Sequence, residues 1–153
     1  MNNATGTAAE FLAAPKELLR RRIQWRGKRH RDYVEARLGV QVIGNPAARG
    51  RLILQAHRYR VPPKYTFALV FRGECIVRLD IEPGRIHINP ETLEAVRDSH
   101  WQMIPNLTHA VADGRRLIHR QWLNEFLKRC GISAVYSYRP PPHGEQLPLP
   151  LPP

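Results

Sequence analysis

Apolar positions are densest between residues 65 and 89, YTFALVFRGECIVRLDIEPGRIHIN. Residues 65–71 are β-branched or aromatic at most positions, and Arg72-Gly73-Glu74 reads as a hairpin turn. Residues 75–81 then alternate Ile76, Arg78 and Asp80 with Val77, Leu79 and Ile81, the period of a strand with one buried face. Pro83-Gly84 turns the chain, Ile86-His87-Ile88 resumes a short alternation, and Asn89-Pro90 ends it. The pattern predicts a three-stranded antiparallel meander.

Upstream, residues 40–43 read as a short strand, with turns at Gly44-Asn45-Pro46 and again at Arg49-Gly50. Residues 51–59 alternate Leu52, Leu54 and Ala56 with Ile53, Gln55 and His57 and predict another strand, which Val61-Pro62-Pro63 ends. Between 16 and 38, Leu18, Leu19, Ile23 and Trp25 fit one helix stopped by Gly27, and Tyr33, Val34 and Leu38 fit a second stopped by Gly39. Residues 19–25 fit an edge strand equally well.

Downstream, residues 90–98 suit a turn or two of helix or a loop, 99–103 an extended segment, and 105–114 a loop. The clearest helix is 116–130: Leu117, Ile118, Trp122, Leu123, Phe126, Leu127 and Cys130 recur at spacings of three and four, arginines and lysines take the other side, and Gly131 follows. One further short strand fits 132–138. The expected fold is α+β: a small antiparallel β-sheet of four to five strands with the C-terminal amphipathic helix packed on one face. A flexible N-terminus over 1–15, a single domain over 16–138 and a proline-rich disordered tail over 139–153 complete the expected organisation.

At 153 residues the chain suits one domain with tails. Its formal charge of +11 makes polyanions the natural class of partner, DNA or RNA by counterion release, or an acidic protein. Residues 16–38 concentrate that charge, with nine Lys/Arg against three Asp/Glu. Arg20, Arg21, Arg22, Arg26, Lys28, Arg29 and Arg31 are therefore candidate nucleic-acid contacts, with Trp25 or Tyr33 to stack on bases. The alternative is a solvated basic face with those aromatics in the core. Two distant cysteines, Cys75 and Cys130, read as small core residues of a reduced, cytoplasmic protein. No run approaches the ~18 apolar residues of a membrane span, so no membrane association is expected.

Catalytic signatures are sparse. His87, His100, Asp80 and Glu82 would converge if their strands were neighbours, giving an acid/base pair for RNA cleavage or a partial metal site. On a sheet they could equally be solvent-facing members of the alternation. No phosphate-binding loop, dinucleotide fingerprint, nucleophile elbow or zinc-ligand cluster occurs, and no cofactor is implied.

Two resemblances add to this reading. LDIEPGRIHINP, the histidine of SHWQ and the closing QWLNEFLKRCGI resemble segments of small phage and mobile-element proteins, some of them candidate toxins with a partner antitoxin. In that group two alternating histidines are usual on the downstream strand, whereas Trp101 and Gln102 follow His100 here. The second lies in the tail, where seven of the 14 prolines occur. Gln146-Leu147-Pro148-Leu149-Pro150-Leu151 resembles the peptide by which bacterial replication and repair proteins dock on the β sliding clamp, of the form QLSLF or QLSLPL. The resemblance implies that Gln146 fills a polar pocket and that Leu147, Leu149 and Leu151 supply the apolar contacts. The expected function is clamp binding by a non-enzymatic protein, as a replication-blocking toxin, a host regulator or a DNA-transaction factor; the alternative is a ribonuclease-type toxin using His87 and His100. A linker or a ligand for an SH3-like groove are the other readings of the tail.

Overall fold

A computed structural model describes residues 6–144. The described residues are mostly β, and the two helices among them are short. A nine-stranded mixed sheet runs in the order β10-β9-β6-β5-β4-β3-β1-β11, with β2 on β3, and β7 and β8 form a separate two-stranded sheet. The strands are β1 Lys16–Leu18, β2 Arg26–Gly27, β3 Tyr33–Val42, β4 Asn45–His57, β5 Tyr65–Phe71, β6 Glu74–Ile81, β7 Ile86–Ile88, β8 Ala95–Arg97, β9 His100–Met103, β10 Asn106–Ala112 and β11 Ile132–Ser133. The helices are α1 Ala8–Ala13 and α2 His119–Arg129. An α+β fold on a small antiparallel sheet is thus corrected to a large mixed sheet. The mixture arises because β11, leaving α2, runs parallel to β1.

Several local expectations change with it, and the loop expected over 105–114 is instead largely strand β10. The helices expected within 16–38 are absent: β3 alternates buried Val34, Ala36, Leu38 and Val40 with outward Glu35, Arg37 and Gln41, a strand period unbroken by Gly39. Gly39 is not a stop. An added Cβ there would lie 3.0 Å from the Leu19 side chain, which lies across the strand. Nor do Arg49 and Gly50 make a turn, since both lie inside β4. Gly50 is required by packing: its missing Cβ would sit 2.7 Å from the Phe11 ring and 2.7 Å from the Val70 carbonyl oxygen. The central β5–β6 pair forms as its pattern implies, around a tight turn at Arg72 and Gly73 with φ of 52° and 78°. Its third strand is β9, however, and β7 leaves the sheet to pair with β8.

One face of the sheet is apolar. Ala36 and Leu38, Leu52 and Leu54, Phe67 and Leu69, and Val77 and Leu79 lie in register across β3, β4, β5 and β6, and Trp101 extends the row on β9. Trp122, Leu123, Phe126 and Leu127 of α2 cover them, with the Phe126 ring stacked on Phe67 and on Trp101, each at 5.8 Å between centroids. α2 starts later than the apolar periodicity suggests, because Gln121 accepts the Ile118 N–H at 3.1 Å and fixes the first turn there. Gly131, with φ of 66°, ends it.

The folded unit extends beyond 16–138 at both ends. Phe11 of α1 is buried and stacks on Phe71 at 4.3 Å, and the wholly buried Lys16 ammonium donates to the carbonyls of Phe11, Leu12 and Ala14 at 2.6–2.7 Å, closing the C-terminus of α1. At the other end, the Trp25 indole donates to the Arg139 carbonyl at 3.0 Å, and the Arg58 guanidinium donates to the Gly144 carbonyl at 2.9 and 3.2 Å. The chain from 134 to 144 is a strap along the domain rather than the start of a free tail. Because Phe11 fills the site that Gly50 leaves open, Phe11→Ala should cost about 3–5 kcal/mol, and Gly50→Ala about 1–3 kcal/mol through displacement of the same ring. Urea unfolding followed by tryptophan fluorescence measures both; parent-like midpoints would show that α1 contributes nothing to the core.

Candidate nucleic-acid interface

The face of the sheet turned away from α2 is polar, and the same strand register that builds the core sets its rows. Arg26, Glu35, Gln55, Thr66, Asp80 and His100 stand in register across β2, β3, β4, β5, β6 and β9. Arg37, Ile53, Ala68, Arg78 and Gln102 form the next row, then Gly39, Arg51, Val70 and Cys75, and finally Gln41 and Arg49. Lys28 joins the face by approaching Glu35 at 3.7 Å. Small apolar side chains at the centre are therefore surrounded by six cations, Arg26, Lys28, Arg37, Arg49, Arg51 and Arg78, against three carboxylates, Glu35, Asp80 and, beside Gln41 on β1, the exposed Glu17.

Asp80 and Glu35 are already engaged. Asp80, buried, accepts from Thr66 Oγ1 at 2.9 Å, from Arg78 Nε at 2.7 Å and Nη2 at 3.1 Å, and faces His100 Nε2 at 3.5 Å. Burial alone would push its carboxyl up; the bonds from His100 and Arg78, the Arg78 charge and the Thr66 hydroxyl outweigh that and hold it well below the usual carboxylate range. Glu35 accepts from Gln55 at 3.0 Å and Arg37 at 2.8 Å. The Arg37–Glu35 pair is more than half exposed on the arginine side, so it is worth about 0–1 kcal/mol and an incoming phosphate can displace it. Arg51 makes no ion pair among the described residues.

The histidines expected to converge do so. The rings of His87 and His100 lie 5.4 Å apart, with Asp80 beside His100. Their bonding, however, suits a structural tie. His100 Nδ1 donates to the Asp98 carbonyl at 3.1 Å while Nε2 faces Asp80, so both ring nitrogens are used. The Asp80 bond, working against burial and helped by Asp98, raises the His100 pKa and favours the imidazolium. His87 donates from Nε2 to the Thr108 carbonyl at 3.1 Å. His100 leaves neither ring nitrogen open to a substrate, and His87 has only Nδ1 outside these bonds, so the two rings do not present the acid and the base that cleavage in concert requires. Glu82 points elsewhere, to Arg60, Lys64 and Arg85 at 3.2, 3.5 and 3.0 Å. Among the described residues no group of three or more His, Cys, Asp or Glu could hold a metal ion. Both thiols are shielded: burial pushes Cys130 up to about 12 and also raises Cys75.

The basic residues of 16–38 divide between two places. Arg26 and Lys28 belong to the sheet face, and Arg29 and Arg31 to the exposed turn leading into β3. Arg20, Arg21 and Arg22 lie at the exposed edge beside the strap, where the Ser137 N–H donates to the Arg21 carbonyl at 2.7 Å. Trp25 is not a stacking residue; it packs on the core, edge-on to His119 at 5.7 Å. Gln146, Leu147, Leu149 and Leu151 lie outside the described residues. Sequence reading missed Arg37, Arg49 and Arg51, although the two-residue alternation of β3 and β4 carries the signal.

No protein-family model matches the chain, and no curated protein or solved structure is significantly similar to it. No helix among the described residues is long and apolar enough to cross a membrane.

Three histidines with shifted pKa values, His57, His100 and His119, give the fold a defined pH response. His100 has a raised folded pKa, so its contribution is complete below the ordinary value of 6.5 and is lost as pH rises through the folded value. Burial lowers His119 from 6.5 to about 4 and also lowers His57, so both groups cost stability as pH falls below 6.5. Isothermal urea titrations across this range should place the histidine-dependent optimum near pH 6.5, with His100→Gln removing the loss on the alkaline side. An unchanged alkaline slope in His100→Gln would mean that the Asp80–His100 contact contributes nothing.

Proposed function

We propose that this is a non-catalytic binding protein that holds nucleic acid along the outer face of its sheet and attaches to the bacterial sliding clamp through residues 146–151. The observation that carries the first half is the excess of cations on the in-register outer rows, where buried Asp80 is neutralised by Arg78 and His100 and Glu35 is held by Gln55 and by pairs with Lys28 and the exposed Arg37. Such a face attracts phosphate whatever the base sequence, because arginine recognises the backbone by charge and bidentate hydrogen bonding.

The clamp half rests on the QLPLPL resemblance and on where the strap ends. Gly144, two residues before Gln146, is fixed to Arg58, whose guanidinium also lies 5.1 Å from the Tyr59 ring. A clamp-bound tail would therefore keep the basic domain close to the DNA that the clamp encircles, and the short connection raises the effective concentration of the second contact. A mobile-element toxin that occupies the clamp, a host replication regulator and a DNA-transaction factor all fit this arrangement. An antitoxin is the further partner that the first of these implies.

Binding to labelled DNA should weaken steeply with salt, and Arg37→Glu with Arg51→Glu should reduce the logarithmic salt slope by about two. Those variants retaining parent-like affinity, or polyglutamate competing as well as DNA, would overturn the sheet-face reading. In parallel, the full-length chain should bind a sliding clamp with about micromolar affinity, lost in Leu149→Ala with Leu151→Ala; equal binding by that variant would reject the clamp motif. Labelled RNA should remain intact in the same preparations, and cleavage abolished by both His87→Ala and His100→Ala would establish the ribonuclease alternative instead.

A further inference from the structure

We propose that the nucleic acid held on the sheet is single-stranded and that Tyr59, with Tyr33, His57 and His30, forms its base-stacking site. The inference rests on the sheet-face reading above. Four rings form one chain of edge-to-face contacts: His30 to Tyr33 at 5.3 Å, Tyr33 to His57 at 4.9 Å and His57 to Tyr59 at 6.3 Å. Tyr33 and His57 are paired across β3 and β4 and form the end of the outer face, adjoining the Arg26–Glu35–Gln55 row.

This cluster does not belong to the core. None of its rings packs into the apolar interior beneath α2, and Tyr59 keeps 43% of its surface exposed. Exposed aromatic rings beside cations suit a ligand with both flat apolar faces and negative charge. Arg29 and Arg31, exposed in the adjoining turn, supply the second requirement, while Lys64, paired with Glu82, and the buried Arg58 guanidinium lie 5.3 and 5.1 Å from the Tyr33 and Tyr59 ring centres and steady those rings.

The corner carrying Tyr59 is built in advance. His57 Nδ1 accepts the backbone N–H groups of Tyr59 and Arg60, each at 3.1 Å, which makes its ring the neutral Nε2–H tautomer and fixes the course of the chain through 57–60. Arg58 draws the same corner to Gly144 and to the Arg31 carbonyl, the latter at 3.2 Å. The Tyr59 ring is thus positioned without a ligand present. A duplex offers phosphates and base edges but hides its base faces in the stack, so only unpaired bases can use such rings. With strands about 4.8 Å apart, the face from β3 to β9 is roughly 19 Å wide, and a single strand entering at the rings can continue over Ile53, Ala68 and Val70 with its phosphates directed to Arg37, Arg49 and Arg51.

Fluorescence anisotropy with labelled oligothymidylate, alone and annealed to oligoadenylate, tests this on the full chain. The single strand should bind more tightly than the duplex. Tyr59→Ala should weaken single-strand binding about 5- to 100-fold with an unchanged salt slope, and Tyr59→Phe should restore it. Urea midpoints equal to the parent would confirm that the alanine variant is folded. Equal affinities for the two forms together with a silent Tyr59→Ala, while Arg37→Glu with Arg51→Glu still weakens both, would overturn the stacking site and leave the nucleic-acid reading standing. Absence of binding to either form at low salt would overturn both.

Discussion

The register of β3 against β4 is the constraint on which the other features depend. Because side chains alternate across a strand, pairing Ala36 with Leu54 and Leu38 with Leu52 sends those groups under α2 and, by the same step, sends Glu35, Arg37, Gln55 and Arg51 to the opposite face. A slip of one residue would bury arginines and expose leucines. Burying each leucine side chain is worth about 1.5–3 kcal/mol, so several in one register outweigh any surface ion pair that an alternative pairing could form. The core therefore fixes the position of the basic face.

Long sheets expose edges; this chain caps one with polar side chains and keeps the strands of the other short. At the β10 edge the Asn89 side chain acts as a strand of one residue, donating to the Ala110 carbonyl at 3.0 Å and accepting the Ala110 N–H at 2.7 Å, while His87 occupies the Thr108 carbonyl. At the other edge β1 and β11 pair over only two residues and are held by Lys16 and the N-terminal helix. These devices explain why histidine and asparagine stand in a motif that invites a catalytic reading. Asp80, His100 and His87 tie β6, β9 and the β7–β8 hairpin together, using nitrogens that chemistry would need.

Much was legible in the sequence. The alternation of 65–81 determined the central hairpin, the three-and-four spacing around Trp122 and Phe126 determined α2 and its buried side, and composition determined a strongly basic surface. Such features are local: a strand or helix with one buried face writes its period into its own residues. Tertiary structure decided the rest. Gly39 read as a helix stop and Gly50 as part of a turn because glycine ordinarily ends elements, yet each is set by a side chain arriving from elsewhere, Leu19 and Phe11. The parallel β1–β11 pairing joins residues more than a hundred positions apart through segments too short to show a period. The basic face was equally hidden, since Arg26, Arg37, Arg51 and Arg78 come from four strands and become neighbours only when backbone hydrogen bonds set those strands side by side.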